Sequence, residues 1–161
     1  MSTSSQSGSL PTESTEVDLT RYLPQMLNQV VSRMNERLAE ELRTIDLPLA
    51  HWRIIAILNW RGACALKEIR QWTVIDMSTA SRAVKKLEEQ GIVTRDWNAT
   101  DSRARQISLT PAGQARFAEG WTIVSGFHNH VFGDLAESEQ LAMLGGLENA
   151  LDRLGRSAWS E

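Results

Sequence analysis

Only one cysteine, Cys64, occurs in 161 residues. No intrachain disulfide can form, and a reducing cytoplasm is the expected setting. No apolar run approaches the roughly 20 residues that a membrane span needs, so no membrane association is expected. The chain has three histidines. His128 and His130 are two apart and point different ways on a helix, so no shared metal is expected there. Cys64 lacks a helix N-terminus or a histidine close in sequence and reads as an idle or buried thiol at a turn after Gly62. Glycine-rich phosphate loops and nucleophile motifs are missing too. Without a catalytic constellation, neither an enzyme nor a cofactor is expected. Met1 to Thr15 holds six Ser and three Thr, with no basic patch and no apolar stretch. It reads as part of a disordered tail over 1–17, and a secretory signal is not expected.

What is present is ordinary in bulk and uneven in distribution. Hydrophobic residues make up 42% and charged residues 23%, as in a globular domain with a real core. The net charge is −3. Yet residues 61–116 hold ten Lys/Arg against six Asp/Glu, and the remainder holds seven against fourteen. Local charge is what meets a phosphate backbone. A solvated surface could carry the same imbalance, so charge alone decides little. Tryptophan is plentiful, with six at positions 52, 60, 72, 97, 121 and 159.

Helical periodicity dominates. Leu19, Tyr22, Leu23, Met26, Leu27, Val30, Val31, Met34, Leu38 and Leu42 recur in steps of three and four, one broad apolar stripe. Pro24 belongs only near its first turn. So wide a stripe suits an interface between subunits. A second helix is expected from about Ala50 to Asn59, burying Trp52, Ile55, Ala56 and Leu58, with Gly62 ending it. A third covers Leu66 to Trp72. A fourth starts after the N-cap Asp76, turns Ala80, Val84 and Leu87 inward, and ends at a left-handed Gly91. Ile92–Trp97 and Gln106–Leu109 make a hairpin. Thr110 caps a fifth helix with Pro111 at its first position. After a turn at Gly133-Asp134, a sixth helix from about Glu137 to Leu154 carries Leu141, Leu144, Leu147, Leu151 and Leu154 on one side. Gly145-Gly146 costs helix stability and would permit close helix contact.

The most informative stretch is 76–111. A helix with hydroxyls and an arginine in its opening turns runs into an arginine-tipped hairpin. Such a helix fits a major groove, and such a hairpin reaches the adjacent minor groove. Arg82 can read guanine with two hydrogen bonds, and Ser78, Thr79 and Ser81 can bond bases or phosphates. Alternatively, the hydroxyls only cap the helix. Lys85 and Lys86 are backbone contacts or solvated charges. Arg95 and Arg105 flank the hairpin and can neutralise phosphates. Asp101 opposes phosphate and would orient a nearby arginine, and Arg103 at the exposed turn has no core role.

These elements resemble the multiple-antibiotic-resistance regulator (MarR) family of bacterial transcription factors. The likeness spans roughly residues 18–155. It is carried by Met77-Ser78-Thr79-Ala80-Ser81-Arg82, by Leu87-Glu88-Glu89-Gln90-Gly91-Ile92-Val93, by Asp101-Ser102-Arg103, and by Ile107-Ser108-Leu109-Thr110-Pro111-Ala112-Gly113. Leu49 to Ile55 also looks like that family's second helix. The fold implied is mainly α with a small β-hairpin wing, a winged helix-turn-helix plus long dimerisation helices. One domain, 18–158, would place dimerisation helices at 18–45 and 111–156 around a winged core at 48–110.

The resemblance implies a cytoplasmic homodimer on a pseudo-palindromic operator in double-stranded DNA, with Arg103 entering the minor groove. It also implies a repressor released by a small aromatic or phenolic effector. The effector's pocket would draw on the first, second and fifth helices, where Arg33, Met34, His51, Trp52 and Arg53 fall. Redox-sensing relatives place their cysteine in the dimer region, a pattern from which Cys64 departs. Two alternatives stand beside this one: a winged helix that binds an acidic protein, and a DNA-binding regulator with no ligand.

Overall fold

A computed structural model describes Leu19 and residues 21–97 and 105–155. The chain divides into two compact units, residues 1–36 and 37–161. Helix α1, Leu23–Arg43, begins in the first and ends in the second. In the first unit Leu23, Met26, Leu27, Val30 and Val31 keep the spacing of the sequence stripe, and all five are exposed.

The second unit holds α2 (Leu49–Arg61), β1 (Cys64–Ala65), α3 (Leu66–Thr73), α4 (Met77–Glu89), β2 (Val93–Trp97), β3 (Arg105–Leu109), α5 (Pro111–Phe132) and α6 (Glu137–Arg153). The described chain is mainly helical with one small antiparallel sheet, as the sequence suggests. In this unit helix ends fall within two residues of the expected ones, whereas α1 begins at Leu23, four residues after the start of the stripe at Leu19. The sheet order is β1-β3-β2. Cys64 faces Ile107 across β3, where a turn was expected, and Arg95 faces the same residue from β2. Cys64 is buried within the hydrophobic core, and that burial pushes the pKa of its thiol up.

Each junction has a local cause. Glu68 reaches back from the first turn of α3 to accept the Ala65 N–H at 2.7 Å. The Thr110 side chain accepts the Gly113 N–H at 3.1 Å and so caps α5, with Pro111 at its first position. The same hydroxyl donates to the Gly91 carbonyl at 2.6 Å, tying the end of α4 to the start of α5. Gly91 takes φ 69° as α4 ends, a conformation cheap for glycine alone.

The core lies between α2, α3, α4 and the sheet. Leu47, Ile54, Ile55, Leu58, Ile69, Val84, Leu87, Val93 and Ile107 are buried there. Burying each Leu or Ile contributes about 1.5–3 kcal/mol. Helix α5 joins through rings. Trp52 stacks on Phe117 at 5.5 Å, and Phe117 on Trp121 at 6.0 Å. Gly120 makes this approach feasible, because a Cβ there would stand 2.6 Å from the Trp52 ring. A Cβ at Gly145 or Gly146 would meet nothing within 4 Å, so among the described residues no helix uses the close contact they permit.

Candidate nucleic-acid interface

Helix α3, the three-residue turn Val74-Ile75-Asp76 and helix α4 form a helix-turn-helix. One side of α4 is fixed, since Ala80, Ala83, Val84 and Leu87 are buried. Ser78, Ser81, Arg82 and Lys85 are exposed on the other side, and Thr79 is half-buried at its edge. A helix held this firmly presents its outward residues at defined positions, as reading base edges requires.

The first turn is organised by Asp76. Its carboxylate accepts the Thr79 N–H at 2.9 Å and the Ser78 hydroxyl at 2.5 Å. Hydrogen bonds from the Ser78 and Thr79 side chains and from the Thr79 N–H hold the Asp76 carboxyl well below the usual carboxylate range. Thr79 Oγ1 in turn accepts from Arg82 at 3.5 Å, which steers the guanidinium along the helix. Lys86 stands 3.5 Å from Glu89 in an exposed pair that adds little.

The sequence does not single out Val74 and Met77, yet both are exposed beside this turn, Val74 at 86%. Val74 also sits at φ 54°, a strained place for a β-branched residue.

The hairpin is described at its base. Arg105 is exposed at the start of β3, opposite Trp97 in register. Arg95 turns back to the body: its side chain is 23% exposed and Nε lies 2.9 Å from Glu88 Oε2. That N–H makes no directed hydrogen bond, so the contact is Coulombic. Asp101 and Arg103 lie outside the described residues, as does the N-terminal stretch 1–17.

The residues expected near an effector are dispersed in role. Arg33 and Met34 belong to the first unit, and His51, Trp52 and Arg53 to the second. Trp52 is 5% exposed and stacked on Phe117 in the core. His51 lines a cleft of about 300 Å³ with Leu47, Leu87, Gln90 and Arg116. Burial, then the nearby Lys86 charge, push the His51 pKa down. Arg116 in this cleft is engaged by Glu119 and by the Ile45 carbonyl. A second, mostly apolar cavity of about 150 Å³ lies between α5 and α6, lined by His128, Phe132, Met143, Leu144 and Leu147. Among the described residues no cluster of His, Cys, Asp and Glu is placed to hold a metal, and no helix is long and apolar enough to cross a membrane.

Comparison with known proteins agrees with this geometry. The MarR family pattern matches residues 45–104, a stretch that holds α2, β1, α3, α4 and β2. The transcriptional repressor IacR of Pseudomonas putida is 30% identical over 87 residues, 54% of this chain and 52% of that protein. The match thus spans about half of this relative's length. A MarR-family transcriptional regulator from Silicibacter pomeroyi superposes with a TM-score of 0.80 at 28% identity, covering 90% of this chain and 98% of that one. BpsR of Bordetella bronchiseptica, whose DNA binding is regulated by 6-hydroxynicotinic acid, shares the fold at TM-score 0.72 and 22% identity, over 83% of this chain and 95% of that one.

Proposed function

We propose, for a chain that belongs to the MarR family through its winged helix-turn-helix, that it regulates transcription as a homodimer on a pseudo-palindromic operator. The observation that carries this reading is the outward face of α4. Ser78, Ser81, Arg82 and Lys85 stand exposed on a helix whose opposite side is locked in the core. Arg82 reads a guanine edge, Lys85 and Arg105 meet phosphates, and Arg103 on the hairpin enters the minor groove. In this reading Arg95, paired with Glu88, braces the hairpin against α4.

The dimer is supported by apolar surface that the single chain leaves bare. Leu141, Leu144, Leu147 and Leu151 are all exposed along α6, and the first unit separately exposes its α1 stripe. Contiguous apolar faces of this kind mark protein contacts. We further propose that DNA binding represses, and that a small aromatic molecule relieves it. The matched repressor IacR and the 6-hydroxynicotinic acid of BpsR favour that extension. Within the second unit His51, Trp52 and Arg53 are its candidate contacts. Tryptophan fluorescence against a panel of aromatic acids tests it. A panel that neither quenches nor displaces DNA removes the effector from the proposal.

The first test is fluorescence anisotropy with labelled DNA from upstream of the protein's own gene, beside a scrambled duplex. Tight binding to the former alone is expected. A dimer covering about 6–10 phosphates should lose about 10³–10⁵ in affinity between 50 and 200 mM salt. Arg82→Ala should weaken operator binding by about 1–3 kcal/mol and flatten base preference at one position per half-site. A variant that keeps both affinity and preference removes Arg82 from the readout.

A further inference from the structure

The start of α4 carries a polarity that residue types alone do not reveal. A helix N-terminus ordinarily attracts anions. Here the Asp76 carboxylate already occupies that place, fully exposed, and accepts the Thr79 N–H and the Ser78 hydroxyl. An ionised carboxylate has no proton to give. The proton in the 2.5 Å contact therefore belongs to Ser78, and the distance is that of a charge-assisted O–H···O⁻ bond.

A serine hydroxyl has one proton and two lone pairs. With the proton committed, Ser78 shows solvent only acceptor capacity. Phosphate oxygens, guanine O6 and N7, adenine N7 and thymine O4 are acceptors as well, and none can bond to it. The major groove offers two donors, the exocyclic amino groups of adenine and cytosine. The Asp76 charge beside it also repels a phosphate.

We infer that Ser78 is a one-way specificity contact, accepting a hydrogen bond from adenine N6 or cytosine N4 and thereby choosing the base at one position of each half-site. This rests on the DNA-binding reading above and assigns a direction to one contact within it.

The test starts from duplexes selected by the wild-type protein out of a random library. Each adenine in the selected site is replaced in turn by purine, which lacks the 6-amino group, and by 7-deazaadenine, which lacks N7. Each cytosine is replaced by 2-pyrimidinone, which lacks the 4-amino group. At one position per half-site, amino removal should cost about 2- to 10-fold in affinity, with no cost from N7 removal if that base is adenine. In Ser78→Ala the amino penalty should vanish.

Two changes at the cap probe the cause. Asp76→Asn keeps an acceptor for the Ser78 proton and removes the charge, so the preference should persist. Asp76→Gly, a tolerated N-cap residue, frees the proton, and the preference should relax towards guanine or thymine. The inference is overturned if Ser78→Ala leaves every amino-group dependence intact, or if the dependence it removes belongs to N7 or O6. It is overturned equally if Asp76→Gly keeps the wild-type preference. A library from which the wild type enriches nothing defeats the DNA-binding reading itself.

Discussion

His51 shows how one residue ties surface charge to stability. Burial and the Lys86 charge disfavour its protonated form in the fold, whereas the unfolded chain takes up the proton near the ordinary value of 6.5. The unfolded state thus binds more protons as pH falls below 6.5, and the fold loses stability down to the lowered pKa. Above 6.5 this penalty is absent. His51→Gln should flatten the decline, which urea midpoints at pH 7.5 and 5.5 would report. An identical pH slope in the variant would assign the decline to other groups. Asp76 works in the opposite sense: its depressed pKa contributes stability above the usual carboxylate range, lost as acid protonates it. Cys64, buried in the core and pushed up, is kept from reactivity by that burial.

At the scale of elements, the joint between α2 and α5 is closely packed. Gly120→Ala would place a methyl 2.6 Å from a Trp52 ring that is itself buried and stacked. The ring has little room to move, so about 1–3 kcal/mol should be lost, visible as a lower Tm. An unchanged Tm would mean that α5 shifts freely on α2. Much of the element pattern was legible beforehand, because its signals are local. Asp76, Gly91 and Thr110-Pro111 act within a turn of themselves. The apolar stripes also declare themselves by period alone. What escaped is long-range. Strand β1 has two residues, too few for any alternation, and exists because β3 supplies partners. The stacking of Trp52 on Phe117 and the pairing of Arg95 with Glu88 likewise depend on residues brought together only by folding. Sequence alone therefore shows neither the ring neighbour of Trp52 nor the carboxylate beside Arg95. The direction of the Ser78 hydrogen bond was hidden for a subtler reason: sequence names a hydroxyl without saying where its proton points.

For the whole molecule, a lone chain leaves its leucines on α6 in water, and the proposed homodimer would remove them. Leu144→Glu should leave the second unit folded, since Leu144 is 56% exposed in the single chain. It should nonetheless yield monomers in sedimentation velocity, with operator affinity falling accordingly. A dimer that survives the substitution would put the interface elsewhere than α6. Charge is divided on the same scale, with the basic residues of 61–116 set within an acidic remainder. In the proposed DNA-binding reading, non-specific attraction to a phosphate backbone is thereby confined to one part of the chain.

Thr110 gives this arrangement a mechanical side. One hydroxyl fastens the end of α4 to the start of α5, and α5 is 22 residues long, about 33 Å at 1.5 Å per residue. Anything that tilts α5 about its far end is therefore amplified at the fastened end. A tilt of about 5° over that length carries α4 roughly 3 Å, close to the spacing of about 3.4 Å between successive bases. In the proposed reading, a disturbance too small to unfold anything is enough to put α4 out of step with the bases it faces.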